Sequence, residues 1–269
     1  MRIALTGSGG FLGKALMQVG ACVGAQMVPL KLPRNAASVT RAELYDLLNP
    51  LNFDVLVHTA AARFPRSMDE LAFNSELPGK LARAISETHP DARLIHISSL
   101  NVLIDQLRDS YSQSKRAGEK SLMIDEKISI VRPGLIWSSA GEGDAGRVEK
   151  VAALPMPWIP IPHPGPSFRP LDVNDMAVAL FEYVIKFGHR RVVNIFGDTP
   201  VTLFQLIDNA CAKKGKRALR VPTGWIFSLL PEFWTCHLPH VLRSFDCCDF
   251  DPASNLERGE EIILPFKLP

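Results

Sequence analysis

Residues 6–13 read Thr6-Gly7-Ser8-Gly9-Gly10-Phe11-Leu12-Gly13, placed between an apolar stretch, Ile3-Ala4-Leu5, and apolar residues at helical spacing, Leu12, Ala15, Leu16 and Val19. Strand, glycine turn and helix in that order make a phosphate cradle. Backbone N–H groups and the positive end of a helix dipole converge there, and a side chain pointing into the turn would hold a diphosphate away. Gly7, Gly10 and Gly13 are spaced G-x-x-G-x-x-G rather than G-x-G-x-x-G. A glycine-rich loop that merely opens a helix is the bland alternative, and the flanking pattern argues against it.

Working outward, strand-like runs recur at 2–6, 26–31, 54–59, 93–98, 128–132 and 191–195, with amphipathic helical stretches between them. Alternating strand and helix predicts an α/β fold: a Rossmann-like, doubly wound parallel sheet covered on both faces, with a small C-terminal substrate lobe. The expected division is a nucleotide-binding core over 1–135 and a substrate-binding lobe over 136–269, interleaved with the last core strands and helices. One helix opens with a capping box, Thr40-Arg41-Ala42-Glu43. The least regular part is 140–170, where Pro155, Pro157, Pro160, Pro162, Pro164 and Pro166 forbid continuous helix and predict an extended loop over the site.

Two further pieces of chemistry lie downstream. Ser98-Ser99 ends the apolar run Leu94, Ile95, Ile97, which places Ser99 at the carboxyl end of a parallel strand, where ligands bind in such sheets. Tyr111-Ser112-Gln113-Ser114-Lys115 lies in a segment, 109–126, that reads as helix, so Tyr111 and Lys115 share a face. A free phenol, with a pKa near ~10, is a poor acid or base at neutral pH, but a neighbouring ammonium favours its ionised form. Tyr111 can then donate or accept a proton while Ser99 bonds the substrate oxygen on which charge develops. Separately, Tyr-x-x-x-Lys is a surface pair and Ser-Ser a turn or cap. In this order, behind a glycine turn, they point to hydride transfer with a nicotinamide cofactor.

Cofactor preference is read from the end of the second strand. The acid that would bond the ribose 2′-hydroxyl of NAD is missing: residues 24–37 hold no Asp or Glu, whereas Lys31 and Arg34 follow Val28-Pro29-Leu30. Two cations there suit a 2′-phosphate, which favours NADP over NAD; a pair of solvated surface charges is the alternative.

The turn and the Ser/Tyr/Lys set together resemble the extended short-chain dehydrogenase/reductase superfamily, in its epimerase/dehydratase branch. Within it the chain is most similar to dTDP-4-dehydrorhamnose reductase-like proteins and nucleotide-sugar 4-epimerases. Asp54-Val55-Leu56-Val57-His58-Thr59-Ala60-Ala61 resembles the strand and small-residue turn beside the cofactor. The resemblance implies that Gly7, Ser8, Gly9, Gly10, Phe11, Leu12, Thr59, Ala60, Ala61, Tyr111, Lys115 and Pro133 meet the cofactor, with Ala60 and Ala61 leaving room for its ribose. Asn74 matches a helix asparagine, and Pro133, within Arg132-Pro133-Gly134, a strand end beside the nicotinamide. The segment 168–177 matches one near the substrate, which makes Arg169 the candidate for a substrate diphosphate; a solvated loop charge is the alternative. The similarity weakens after residue 135.

This implies an NAD(P)-dependent oxidoreductase reducing a carbonyl on a nucleotide-linked sugar, with Ser99, Tyr111 and Lys115 as its catalytic residues. The alternatives are a 4-epimerase with tightly bound NAD and, in another class, a non-catalytic NADP-binding redox sensor. Dehydratases of this branch carry Thr-Asp-Glu where this chain has Ser99-Leu100-Asn101, which disfavours dehydration. Leu100 also replaces the Asp of rhamnose-type reductases. A homodimer through the Tyr111 helix is a further implication.

Composition bounds the rest. A chain of 269 residues, 46% hydrophobic, can bury a large core. A net charge of +2 with scattered Lys and Arg argues against nucleic acid. No run reaches the ~18 apolar residues of a membrane span and no leader pattern opens the sequence, so the expectation is a cytoplasmic protein. Five cysteines, among them Cys247-Cys248, fit reduced thiols. Cys236, His237, His240, Cys247 and Cys248 match no common zinc spacing, so no metal is expected. The apolar stretch 225–234 is expected to pack the substrate lobe rather than a membrane surface.

Overall fold

The computed structural model describes residues 1–33, 38–63, 65–104, 109–122, 126–138, 140–163, 167–186, 192–222 and 260–266. In the first half, β1 (Arg2–Thr6), α1 (Phe11–Cys22), β2 (Gln26–Leu30), α2 (Arg41–Leu48), β3 (Val55–His58), α3 (Met68–Ser75), α4 (Leu77–Thr88), β4 (Arg93–Ile97), α5 (Ser110–Leu122) and β5 (Ile128–Pro133) alternate as expected. There follow β6 (Leu135–Trp137), α6 (Gly143–Ala152), β7 (Trp158–His163), β8 (Ser167–Phe168), β9 (Pro170–Asp172) and α7 (Val173–Ala179). The last group is β10 (Val192–Gly197), β11 (Val201–Thr202), α8 (Leu203–Ala212), β12 (Arg217–Pro222) and β13 (Glu260–Leu264).

Seven strands form one sheet in the order β13-β10-β5-β4-β3-β1-β2, and every neighbouring pair is parallel. Strand alternation sends Ile3, Leu5, Val57, Ile95, Val131, Val193 and Ile195 to the face covered by α1 and α7. Ala4, Leu56, Leu94 and Ile130 go to the opposite face, against α2 and α4. Parallel strands buried on both sides must be apolar on both sides, and β3 is buried at all four of its residues. A third cluster, including Trp137, Val148, Ile159, Ile161, Leu206, Ile207 and Phe266, packs α6 and α8 with β7.

From β1 the chain crosses to β2 on one side, then returns to β3 on the other. The carboxyl ends of β1 and β3 therefore flank a switch point, the crevice where open α/β sheets bind ligands. Both Thr6-Gly7 and His58-Thr59 lie there.

Three expectations need correction. The stretch 140–170 is not one extended loop: α6 occupies its start, before the prolines, and β7 follows. Pro160 and Pro162 fit within β7 because, among the described residues, it pairs only with β12 in a two-stranded sheet, where a missing N–H is tolerated. The helix bearing Tyr111 is described over Ser110–Leu122, and Glu126, its expected end, lies in a turn. A seventh sheet strand, β13, pairs with β10, which the sequence reading did not anticipate. The capping box at Thr40 is present, its hydroxyl accepting from Glu43 N while Glu43 accepts from Thr40 N, and a second one joins Thr202 to Gln205. Among the described residues, no helix is long and apolar enough to cross a membrane.

Candidate active site

The glycine turn is shaped by close approach. Gly7 has φ 69°, in the left-handed region, and a Cβ there would lie 2.7 Å from Thr59 Oγ1 and 2.8 Å from Ala60 N. A Cβ on Gly13 would lie 2.0 Å from the Gly7 carbonyl oxygen. The turn is drawn in by Gly10 N donating to Gly7 O at 2.8 Å, and Gly10 heads α1 without a side-chain cap. The first N–H groups of α1 thus have no capping oxygen from Gly10. That is what an anion at a helix N-terminus needs. Thr59 ties the two sides of the crevice together, its hydroxyl donating to Thr6 O at 2.7 Å.

At the end of β4, the Ser99 hydroxyl accepts from Asn101 N at 3.3 Å and starts a short helical turn, Leu100–Leu103. Asp109 Oδ1 accepts from Ser112 N at 3.0 Å at the head of α5. From there α5 presents Tyr111 and Lys115 on one face. The Tyr111 phenol is hydrogen-bonded to the Ser99 hydroxyl, so two residues from separate elements meet. Burial pushes that phenol up to about 12; Arg63 pulls it down, Asp109 and Asp144 push it up, and the Ser99 bond lowers it. Lys115 is 2% exposed and donates from Nζ to Ile97 O at 2.8 Å. Burial draws its pKa down to about 8, with Glu119 opposing. Arg63, from the loop after β3, is a cation that pulls the Tyr111 phenol down.

Behind these residues lie two paired sets of polar groups. Glu119 and Arg132 form a buried ion pair with an Nη2–Oε2 distance of 2.6 Å. Asn74 bonds both backbone groups of Ala62 (Ala62 N to Oδ1 2.9 Å, Nδ2 to Ala62 O 2.7 Å) and donates to Ser114 Oγ at 3.1 Å. It thereby fastens the loop after β3 to α5.

A cavity of about 500 Å³ runs from the glycine turn to these side chains. Gly7, Gly10, Phe11, Leu12, Thr59, Ala60, Ala61, Ser99, Tyr111, Lys115, Pro133 and Arg169 line it. Ser8, Gly9 and Lys31 do not; Lys31 is exposed just beyond β2. Arg34 lies outside the described residues, as do Cys236, His237, His240, Cys247, Cys248 and the apolar stretch 225–234. Among the described residues, no group of three or more His, Cys, Asp or Glu could hold a metal ion. Arg169 donates to Asp198 O at 3.0 Å and lies over the Phe196 ring, 5.6 Å from its centroid.

The sequence reading missed three charged residues of the wall: Arg63, Asp144 and Arg147. Arg63 had a signal, being the first charge after the apolar strand and its Thr59-Ala60-Ala61-Ala62 turn. Asp144 and Arg147 share a turn of α6, which the prolines beyond it obscured.

The residues present fit a dinucleotide: a turn in which a Cβ has no room at Gly7 or Gly13, an uncapped helix start, and a cavity continuing to a serine–tyrosine pair. No protein-family model matches the chain, and no curated protein matches it by sequence. Solved structures do. It is similar to a dTDP-4-dehydrorhamnose reductase from Clostridium acetobutylicum, with a TM-score of 0.68 at 14% identity over 82% of this chain and 84% of that one. The corresponding reductase from Bacillus anthracis, solved with NADP, gives 0.68 at 18% identity over 82% and 84%. The Bordetella bronchiseptica enzyme WbmG, solved with NAD and UDP, gives 0.67 at 18% over 82% and 81%. A protein of the short-chain dehydrogenase/reductase superfamily from Agrobacterium tumefaciens gives 0.65 at 15%. The fold of this chain is Rossmann-like, the fold it shares with these solved structures.

Proposed function

We propose that the protein is an NAD(P)-dependent oxidoreductase that reduces a carbonyl on a nucleotide-linked sugar. The observation that carries this reading is the hydrogen bond between Ser99 and Tyr111 in a cavity that begins at the glycine turn. Gly7, Gly10, Phe11, Leu12, Thr59, Ala60, Ala61 and Pro133 would hold the cofactor, with Ser8 and Gly9 at the outer side of the turn. When bound, the nicotinamide supplies the hydride. Lys31 and Arg34 would favour NADP, by accepting its 2′-phosphate.

The chain's own residues then account for the proton. A phenol held near 12 is fully protonated at neutral pH, the state a reductase needs, because each carbonyl reduced takes up one proton. Tyr111 delivers it to the substrate oxygen, which Ser99 orients. Lys115, its Nζ held by the Ile97 carbonyl, lines the same cavity and would meet the cofactor there. Arg169 would take the substrate diphosphate, in the half of the chain after residue 135, which we assign to the substrate; a dimer through α5 belongs to the same proposal.

The test is to denature freshly purified protein, identify any nicotinamide released, and titrate the empty protein with NADPH and NADH. An empty site that prefers NADPH, followed by turnover of a nucleotide-linked keto-sugar, is expected. Stoichiometric, tightly held NAD would instead favour an epimerase, whose cycle returns its cofactor to the starting state.

A further inference from the structure

Arg63 and α6 meet across the mouth of the cavity. Arg63, on the loop after β3, forms an ion pair with Asp144, and Arg147 approaches the other Asp144 oxygen at 3.5 Å. The Asp144 side chain is 11% exposed and those of Arg63 and Arg147 are 47% and 42% exposed, and all three line the cavity. Their place along the cavity is fixed by the glycine turn. A Cβ built on Gly143 would lie 3.4 Å from the Phe11 ring and 3.8 Å from Arg63 Nη1. Lys14 of α1 is 4.0 Å from Glu142 at the head of α6. The start of α6 therefore lies near the start of α1, both arginines line the same cavity as the turn, and Arg63 acts on the Tyr111 phenol. Charged residues of the cavity wall are Arg63, Lys115, Arg147 and Arg169 against Asp144 alone.

Accepting the dinucleotide reading of the glycine turn, we propose that Arg63 and Arg147 form the outer half of the diphosphate site, with Asp144 holding their place until the ligand arrives. The turn offers backbone N–H groups from below, and the two guanidiniums offer planar, doubly donating groups from above, the geometry that suits phosphate oxygens. Because Asp144 and the diphosphate are both anions drawn to the same cations, they compete. A cluster that served only to fasten α6 would have no such competition. The two roles thus give opposite expectations for removing the carboxylate's charge.

The experiment measures binding, not turnover, on the full chain by fluorescence titration with NADPH. Competition with ADP-ribose, which has the diphosphate but no nicotinamide, and with AMP, which has a single phosphate, follows. Loss of one charge-assisted contact should raise the Kd for NADPH and ADP-ribose by ~10-fold in Arg63→Gln and by less in Arg147→Gln, with AMP shifted under ~2-fold. Arg63→Lys should recover part of the loss. Asp144→Asn should leave dinucleotide affinity unchanged or tighter. Two results would overturn the proposal: folded arginine variants that bind NADPH as wild type does, or Asp144→Asn weakening binding as much as Arg63→Gln. Wild-type protein that binds neither NADPH nor NADH would sink the dinucleotide reading itself, which the other two outcomes leave standing.

Discussion

Gly13→Ala is the sharpest test of the phosphate turn. Its new Cβ would sit 2.0 Å from the Gly7 carbonyl oxygen and 2.8 Å from both Gly7 C and Ser8 Cα, where ordinary contact begins at 3.4 Å. All three obstacles are backbone, so no side chain can swing away, and turn and helix must separate by more than ~1 Å, the scale of an overpacked core. Overpacking of this kind costs ~1–3 kcal/mol, which in a protein of this size lowers Tm by roughly 3–10 °C. The larger effect is on binding. Moving the Gly7–Gly10 backbone away from its position forfeits about two charge-assisted hydrogen bonds to a diphosphate, worth ~1.5 kcal/mol or more each. The Kd for NADPH should then rise ~100-fold or more. Gly9→Ala is the control for stability, since a Cβ there meets nothing within 4 Å and Tm should hold. Fluorescence titration beside thermal unfolding reads both quantities. A Gly13→Ala protein that melts and binds NADPH like wild type would refute the reasoning.

Because burial pushes the Tyr111 phenol up to about 12, ultraviolet titration of the empty protein should show a late ionisation step. With its pKa raised from 10 to about 12, Tyr111 contributes stability that is complete below pH 10 and lost as pH rises through 12. Tyr111→Phe should abolish the late step, and a wild-type titration without such a step would contradict the burial argument. On a working substrate the same variant should lose ~100-fold or more in kcat while its NADPH Kd stays within ~2-fold, and near-normal turnover would remove Tyr111 from the mechanism. Glu119→Gln strands the Arg132 charge in a buried site and should cost about 3–5 kcal/mol, seen as a Tm drop of ~10 °C. Replacing both partners by apolar residues should restore much of it, and an unchanged Tm in the single variant would show that the pair is not effectively buried.

Legibility in the sequence followed the range of the physics involved. The β1 turn and α1 could be read because apolar run, glycines and helical spacing are contiguous; Tyr111 and Lys115 because one helical turn brings them to one face; Thr40-Glu43 because a capping box is local. The Arg63–Asp144 pair joins residues far apart in the chain, and nothing in either neighbourhood announces the other. The direction of the Lys115 ammonium is likewise a tertiary outcome, set by the Ile97 carbonyl at the end of β4. β13 escaped notice because it is an edge strand, with Ile262 its only buried residue and Glu260, Glu261 and Ile263 exposed. Its short alternation resembles that of a polar loop. α6 was hidden by the proline-rich stretch after it, although its own residues, 143–152, contain no proline.

The far edge of the sheet also sets an order of events during synthesis. β10 carries Val193, Ile195 and Phe196, all buried, and among the described residues one of its hydrogen-bonding edges is covered by β13, where Val193 pairs with Glu260. At ~5–20 residues per second, the ribosome finishes β10 several seconds before its partner strand exists. During that interval an apolar edge has its N–H and C=O groups open to any other extended chain. The nascent chain thus carries an open apolar edge once β1 to β5 and β10 are made, until β13 is synthesised and pairs with it.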